Sequence, residues 1–518
     1  MEFANESVTA GLLDERTVDA ALNRTLWLRF SLGLMDPIEG QPLWSVPPEA
    51  VGSSPHAQLA SEAADQSIVL LRNDPAPSLA AGSGLPHGCV FGGETRALPL
   101  TPGRRLAVIG PHANATQALT GNYNGQLCPG AYNDFSCIET PVAALATANL
   151  GGATASALGC ADGVACADDS GFAEALRLAS EADAVVLLLG IDTTGVEKEG
   201  LDRTAIALPG LQGTLALQVA SLGKPTAVVL LHGGCLGVDG LRNAEPRDVP
   251  GGLAVLSAFY PGPSGARAIS GAVFGRFSPS GRLPYTVFGA DYVQEADFLS
   301  MDLPGQGMTY KYYRGANALW SFGFGLSFVG FSLAAVASTE EFSAGDLGAQ
   351  VVVAVDVART ASARHGHRGG DGGRGDDSGG AAAAAIAVAQ LVVTVSIVPL
   401  RVPGLGFPAR ATSATPLSEE GEEDAAAVVA AAVPVVQRQL VAFGRTGDLA
   451  PGEACKLHLT VPAAAFALAD AEGNLAIYPG DYVLEVWDGS AKEPVRLSVT
   501  VTGGTSARLV TPFPKHEG

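Results

Sequence analysis

Positive charge is scarce in this sequence of 518 residues. It has 31 Lys and Arg against 52 Asp and Glu, which gives a net charge of −21. Nucleic acids and anionic membranes both require a basic footprint on the protein that binds them. The composition therefore argues against nucleic acid and a membrane surface as partners. The length allows two to four domains with sizeable cores.

The short motifs of several catalytic and nucleotide-binding classes are also absent. Neither G-x-S-x-G nor H-E-x-x-H occurs, and Gly233-Gly234 matches neither the P-loop nor the dinucleotide fingerprint. His365 and His367 lie in a Gly-rich segment, where an incidental pair is favoured over a metal site. His112 follows a predicted strand and can either line a pocket or satisfy loop carbonyls. The sequence therefore predicts neither a metal nor a cofactor.

Cysteines are few and do not form a zinc pattern. Two close pairs lie in loops rich in Gly, Asp and Asn: Cys128 with Cys137, and Cys160 with Cys166. These spacings suit disulfides or free thiols equally well. Three N-x-S/T sequons are usable only in a secreted chain. The first residues have neither a basic region nor a continuous apolar run of a leader. The sequence therefore does not decide between a secreted and an intracellular protein.

The sequence has one long apolar run, residues 381–400, which contains no charged residue. Twenty such residues are long enough to span a bilayer. The first half is mostly Ala, however, and the second half has the Val-rich composition of a buried strand. A core strand is therefore favoured over a membrane span.

Apolar strands alternate with amphipathic helices up to about residue 325. This pattern predicts a mostly parallel-sheet α/β sandwich over residues 56–325. Short Val-rich runs separated by turns follow, and they predict an all-β sandwich over residues 326–518. Two low-complexity insertions, near 361–385 and 411–432, interrupt that second domain.

The most informative stretch is an acidic loop that follows the apolar run 184–189. It contains Glu197, Glu199, Asp202 and Arg203. In open α/β sheets, ligands bind at the carboxyl ends of the strands, where this loop would lie. The residues alone leave two readings: a solvated surface loop, or carboxylates for acid/base chemistry, one of which would need a raised pKa. In an extended segment Glu197 and Glu199 share a face, while Asp202 beside Arg203 would stay ionised and hold the loop.

Several stretches, taken in order, resemble the C-terminal two-thirds of glycoside hydrolase family 3, and most closely its β-xylosidase-type members. The matching stretches are RTLWLRFSLGLMDP (24–37), EAADQSIVLLRND (62–74), LAVIGPHANAT (106–116), GNYNG (121–125), GCADGVAC (159–166), VVLLLGIDTTGVEKEGLDR (185–203), LPGLQ (208–212), AFYPGPSGARAISGAVFGRFSPSGRLPYT (258–286), MTYKYYRG (308–315), FGFGLSF (322–328), RQLVAFGRTGDLAPGEA (438–454) and PGDYVLEV (479–486).

The resemblance implies a fold and a mechanism. Family members consist of a (β/α)8 barrel, an α/β sandwich and a fibronectin type III-like domain. An Asp of the barrel is the nucleophile of a retaining reaction, and a Glu of the sandwich is the general acid/base, so the two carboxyls lie about 5–5.5 Å apart. The resemblance carries the acid/base role to Glu197, with Glu199 as the fallback. One extra residue before Glu197 shifts the loop relative to the family pattern.

The resemblance also implies that something is missing. Residues 1–55 resemble the family's barrel-to-sandwich helix and linker, so we expect no barrel and no nucleophile in this chain. Half a site should not hydrolyse β-xylosides or β-glucosides alone, although the expected ligands are β-linked xylo- or gluco-oligosaccharides. A separately encoded barrel is one expected partner. The alternative is a non-catalytic protein that binds carbohydrate or another protein.

Overall fold

The computed structural model describes residues 4–76, 90–91, 94–360, 386, 388–402, 436–470, 473–490, 493–503 and 507–511. Both predicted insertions, 361–385 and 411–432, lie outside these residues, and so do His365 and His367. The chain divides into two compact units, residues 1–59 and 60–518.

The first unit is helical. It contains α1 (Ala4–Thr9) and α2 (Glu15–Ser31) and ends within α3 (Ser54–Ser67). The Asp14 carboxylate caps α2 by accepting a hydrogen bond from the Arg16 amide at 3.2 Å. The predicted amphipathic helix is therefore present, but none of its residues is buried within the structure.

A six-stranded sheet forms the centre of the α/β domain. Its strands are β1 (Val69–Asn73), β4 (Arg105–Ile109), β5 (Ala153–Ala157), β6 (Ala184–Gly190), β7 (Thr226–Leu231) and β8 (Leu253–Phe259). The spatial order is β1-β8-β7-β6-β4-β5, with β1 antiparallel and all other pairs parallel. The prediction of a mostly parallel sheet is confirmed.

Helices cover both faces of this sheet, and β6 and β7 accordingly have apolar residues at nearly every position. Every residue of β6 and β7 is buried. Val186 and Leu188 pack in one apolar cluster, while Val185 and Leu187 pack in the other. The covering helices are α4 (Pro141–Ala148), α5 (Phe172–Glu181), α6 (Gln212–Ala220), α7 (Asp239–Asn243) and α8 (Gly265–Val273). Shorter elements complete the domain: β2 (Val90–Phe91), β3 (Glu94–Thr95), β9 (Val287–Phe288), α9 (Tyr292–Glu295), α10 (Thr309–Tyr312) and β10 (Ala318–Trp320).

The described residues after β10 form strands and loops, with one short 3-10 helix and no α-helix among them. One sheet has the order β11-β13-β16, a second β12-β20-β19-β14-β15, and a third β17-β18-β21. Their bounds are β11 (Phe331–Ala337), β12 (Glu341–Ser343), β13 (Gln350–Arg359), β14 (Val392–Arg401), β15 (Gln439–Arg445), β16 (Ala454–Pro462), β17 (Ala467–Ala469), β18 (Leu475–Ile477), β19 (Gly480–Trp487), β20 (Val495–Thr502) and β21 (Arg508–Thr511). The expected all-β sandwich is present.

The second half of the apolar run 381–400 is strand β14. Val393, Val395 and Ile397 are buried in the core of the sandwich. Among the described residues, no helix has the length and apolarity that crossing a bilayer requires.

Candidate active site

The candidate site lies at the carboxyl edge of the parallel sheet. Strands β4, β6, β7 and β8 run in one direction, so the segments that follow them meet at the same edge. These segments begin at Gly110, Ile191, His232 and Tyr260. The acidic loop therefore has three neighbouring loops around it.

Gly190 and Gln212 fix the two ends of the acidic loop. Gly190 has φ +136°, and a Cβ there would lie 1.9 Å from the Leu231 carbonyl oxygen, so only glycine fits. The buried Gln212 side chain accepts a hydrogen bond from the Gly190 amide at 2.8 Å and donates to the Gly190 carbonyl at 2.9 Å. It also donates to the Val164 carbonyl at 2.6 Å. One amide thus ties the end of β6 to the start of α6.

Asp192 shapes the first part of the loop. Its carboxylate accepts hydrogen bonds from the Thr194 hydroxyl at 2.7 Å and from the amides of Gly195 and Val196 at 3.0 and 3.3 Å. Burial acts to raise the pKa of Asp192, but these hydrogen bonds together hold that pKa below its usual value. Asp192 is therefore an ionised anchor of the loop.

Glu197 pairs with Arg203 inside the loop. Glu197 Oε2 accepts from Arg203 Nε at 2.7 Å, and both side chains are mostly buried. Arg203 also donates to the Cys235 carbonyl at 3.2 Å, which connects the pair to the loop after β7. Asp202, expected to hold the loop, is exposed and forms no ion pair with any residue that the structure describes. The stabilising partner of Arg203 is thus Glu197.

Glu199 lies in a tight turn. Lys198 and Leu201 pair through two backbone hydrogen bonds of 3.1 and 2.8 Å, and Gly200 between them has φ +76°. The segment is therefore not extended, and Glu197 and Glu199 have different environments. The Tyr123 hydroxyl donates a hydrogen bond to Glu199, which is otherwise exposed. This bond raises the pKa of Tyr123.

Two disulfides stabilise the segments beside the acidic loop. Cys128 bonds to Cys137 and Cys160 to Cys166, so both close pairs are disulfides. The first lies shortly after Tyr123 in the chain. The second lies where the acidic loop returns to the domain, because the Leu211 amide donates to the Cys166 carbonyl at 2.9 Å.

Two buried polar atoms at this edge have no hydrogen-bond partner among the described residues: His112 Nε2 and the Tyr260 hydroxyl. Burial lowers the pKa of His112 to about 4, although Asp192 opposes the shift, so the imidazole is neutral at pH 7. Burial, and then the negative charges of Glu197 and Asp192, raise the pKa of Tyr260. Buried polar groups normally have partners, so these two atoms are exceptions within the described part of the chain.

His232 organises the loop after β7. Its Nδ1 donates to the Gly234 carbonyl at 2.7 Å, and its Nε2 accepts from the Ser257 hydroxyl at 2.8 Å. Since a carbonyl only accepts, the hydrogen is on Nδ1. Burial lowers the pKa of His232 to about 4, which keeps the ring neutral. The network positions Gly233 and Gly234 between Arg203 and Tyr260.

The structure brings together residues that the sequence predicts and residues that it missed. Glu197, Glu199, Arg203 and His112 all lie at this edge. Gln212, Tyr123 and Tyr260 were not predicted to contribute, because each acts through a contact distant in sequence. The only signal in the sequence was their place in stretches that resemble the family. No group of His, Cys, Asp and Glu able to hold a metal ion occurs among the described residues.

Comparison with known proteins identifies the family. The model of the glycosyl hydrolase family 3 C-terminal domain matches residues 68–328, about half of the chain. The chain belongs to glycosyl hydrolase family 3. A fibronectin type III-like domain model also matches, over residues 426–490. Both predicted fold classes are therefore confirmed.

The curated relatives include β-xylosidases. Beta-D-xylosidase 1 of Arabidopsis thaliana is 36% identical over 337 residues, which cover 64% of this chain and 38% of that protein. A probable exo-1,4-β-xylosidase of Aspergillus fumigatus is 32% identical over 513 residues, 97% of this chain and 55% of that protein. The chain thus spans about half the length of the latter.

Solved family 3 structures share the fold. An exo-β-xylosidase in complex with a xylobiose aziridine probe aligns with a TM-score of 0.65 at 23% identity, over 92% of this chain and 52% of that one. A β-glucosidase from Listeria innocua in complex with isofagomine aligns with a TM-score of 0.64 at 19% identity, over 97% and 58%. At these identities the likeness supports the fold alone.

Proposed function

We propose that this chain carries the acid/base half of a retaining glycoside hydrolase of the β-xylosidase or β-glucosidase type. Its substrates would be β-linked xylo- or gluco-oligosaccharides, such as those released in xylan catabolism. The nucleophile would come from a (β/α)8 barrel, either in the same longer protein or in a separate chain. Membership of glycosyl hydrolase family 3 supports this proposal, as does the similarity to β-xylosidases in sequence and to a β-xylosidase and a β-glucosidase in structure.

The observation that carries the proposal is the unequal environment of the two glutamates. Arg203 occupies Glu197 Oε2 at 2.7 Å, and this pair is tied to the loop after β7. Glu199 is exposed on a turn, and among the described residues its only side-chain hydrogen bond is with the Tyr123 hydroxyl. The sequence ranks Glu197 first, but these contacts favour Glu199 as the proton donor. Glu197 then positions the loop through Arg203.

In this proposal Glu199 acts twice. It first donates a proton to the glycosidic oxygen as the nucleophile attacks the anomeric carbon and the leaving sugar departs. It then takes a proton from the water that hydrolyses the glycosyl-enzyme intermediate.

The decisive experiment joins this chain to the barrel of a family 3 xylosidase and compares Glu199→Gln with Glu197→Gln. Loss of a general acid costs about 100- to 10,000-fold in rate. For Glu199→Gln we expect that loss in kcat/KM for xylobiose but little loss for an aryl xyloside with an acidic phenol, which leaves without a proton. Glu197→Gln should reduce both rates by a similar factor.

Each other outcome has a clear meaning. If Glu197→Gln, and not Glu199→Gln, loses activity on xylobiose but keeps it on the aryl xyloside, the acid/base role belongs to Glu197. Turnover unaffected by either substitution would contradict the assignment of this loop. The isolated chain should show no turnover. Binding of xylobiose by the isolated chain, together with an inactive fusion, would favour the non-catalytic alternative.

A further inference from the structure

A cavity lies away from the acidic loop, between the α/β domain and the β-sandwich. It has a volume of about 730 Å³. Residues between Thr286 and Phe322 line one side, and residues of β14, β19 and β20, with Gln437 and Arg438 just before β15, line the other. Val483 and Glu485 of β19 face it, while the alternate residues Tyr482 and Leu484 pack in the sandwich core. The volume falls in the range of about 300–1,000 Å³ typical of small-molecule sites. We refer to it as the interdomain cleft.

The interdomain cleft is positively charged in a protein that is otherwise strongly acidic. Three arginines, Arg314, Arg438 and Arg496, line it together with a single carboxylate, that of Glu485. This carboxylate is mostly buried, whereas Arg314 is exposed and forms no ion pair with any described residue. The lining therefore has a net charge of about +2 at neutral pH, because guanidinium groups stay protonated.

Glu485 holds two of these arginines in place. Arg438 approaches its Oε2 at 2.6 Å as an ion pair without hydrogen-bond geometry, and Arg496 donates to its Oε1 at 3.2 Å. Arg496 also lies 3.7 Å from the exposed Glu493 at the rim. A guanidinium carries five N–H donors, so both arginines keep donors that Glu485 does not use. These donors are available to an anion.

Aromatic rings form the other part of the lining. Tyr310 and Phe322 stack with their ring centres 3.9 Å apart, and both are half-buried. The Leu440 amide donates to the Tyr310 hydroxyl at 3.3 Å, which fixes that ring against β15. Tyr313 packs edge-on against Phe288 at 4.7 Å. The C–H face of a pyranose ring packs well on an aromatic face, since the ring's π-face is negative and the C–H hydrogens are slightly positive.

We propose that the interdomain cleft binds a sugar acid, that is, a pyranose carrying a carboxylate, such as a glucuronosyl unit. Arg314, with unused donors of Arg438 and Arg496, would pair with the carboxylate, and Tyr310 and Phe322 would contact the ring. A plain anion would leave the rings unused, and a neutral sugar would leave Arg314 without a partner. The site shares no residue with the acidic loop, so it stands or falls independently of the proposed hydrolase function.

Isothermal titration calorimetry on the full chain tests this directly. The probes are methyl β-D-glucuronide, methyl β-D-glucoside, which replaces only the carboxylate, and inorganic phosphate. We expect the glucuronide to bind at least about tenfold more tightly than the other two, since a charge-assisted hydrogen bond contributes about 1.5–3 kcal/mol. Affinity should fall as NaCl rises from about 0.05 to about 0.5 M, because exposed charges are screened.

Two substitutions locate the binding. Arg314→Gln should weaken glucuronide binding about tenfold or more through the lost charge-assisted bond. Arg247→Gln, which removes an exposed arginine that does not line the interdomain cleft, should leave it unchanged. Equal affinity for glucuronide and glucoside, equal affinity for glucuronide and phosphate, or no binding at all would each overturn the proposal. So would a glucuronide affinity that Arg314→Gln does not change.

Discussion

At the scale of single residues, the position of the Tyr260 ring depends on two glycines. A Cβ on Gly233 would lie 2.5 Å from the ring, and one on Gly121 would lie 2.9 Å from it. Phe259, the residue before Tyr260, has a φ of +54°, a backbone conformation that residues other than glycine rarely adopt. The chain therefore accepts local strain where it brings a tyrosine to the carboxyl edge of the sheet, as is common at functional sites.

Gly233→Ala should displace that ring. The added methyl group has no room beside a half-buried aromatic side chain, and overpacking of this kind costs about 1–3 kcal/mol. We expect a lower midpoint of urea unfolding than in the unsubstituted chain. The adjacent Gly234→Ala is the matched control, because its Cβ would meet only Arg203, at an ordinary 3.5 Å. Equal midpoints for the two variants would show that Tyr260 is not held as described.

At the scale of elements, the acidic loop depends on the contact between the start of α6 and the end of β6. The Gln212 side chain satisfies both backbone groups of Gly190 and the Val164 carbonyl. Among the described residues, no other side chain forms a hydrogen bond with these three backbone groups. A single glutamine thus determines where the loop leaves the sheet and where it returns.

Gln212→Leu should loosen the loop and destabilise the domain. Leucine fills a similar volume but leaves buried backbone groups without partners, at a cost of about 1–3 kcal/mol for each group that water does not reach. We expect faster hydrogen exchange at the Gly190 amide and a lower unfolding midpoint. Gln218→Leu, at an exposed position of the same helix, should change neither. Unchanged exchange at Gly190 in Gln212→Leu would contradict the role assigned to this side chain.

The sequence predicted the elements well and the contacts between loops poorly. The runs that became β6 and β7 are apolar at nearly every position, and a strand buried on both faces in a parallel sheet requires that composition. Gln212 gave no comparable signal, since a single polar residue at a helix start is ordinary. Tyr123 and Glu199 are 76 residues apart, so only the fold reveals their hydrogen bond. Similarly, nothing local indicates that Arg203 pairs with Glu197 rather than with its neighbour Asp202.

At the scale of the whole molecule, the α/β domain and the β-sandwich are joined by specific bonds. Residues 60–518 form one compact unit, although the sequence predicts a domain boundary at 325/326. The half-buried Arg282 of the α/β domain donates through Nε to the Asp488 carbonyl of the sandwich at 2.8 Å and through Nη1 to the Gly281 carbonyl at 2.8 Å. The Gly325 amide donates to the Gly489 carbonyl at 2.8 Å. Burial lowers the pKa of Arg282 to about 10, which leaves it charged at neutral pH.

Arg282→Met should uncouple the unfolding of these two domains. Methionine keeps much of the length of the side chain but removes every donor, so the Asp488 carbonyl loses its partner at a cost of about 1–3 kcal/mol. This cost falls on the polar contacts between the domains, because the substitution leaves the apolar cluster that contains residues of both domains unchanged. Calorimetry of the unsubstituted chain should therefore show one main transition for residues 60–518, and the variant should show two. Arg247→Met, which removes an exposed arginine, should behave like the unsubstituted chain. A single transition in Arg282→Met, shifted or not, would mean that the remaining contacts, including that of Gly325 with Gly489, are sufficient to couple the domains.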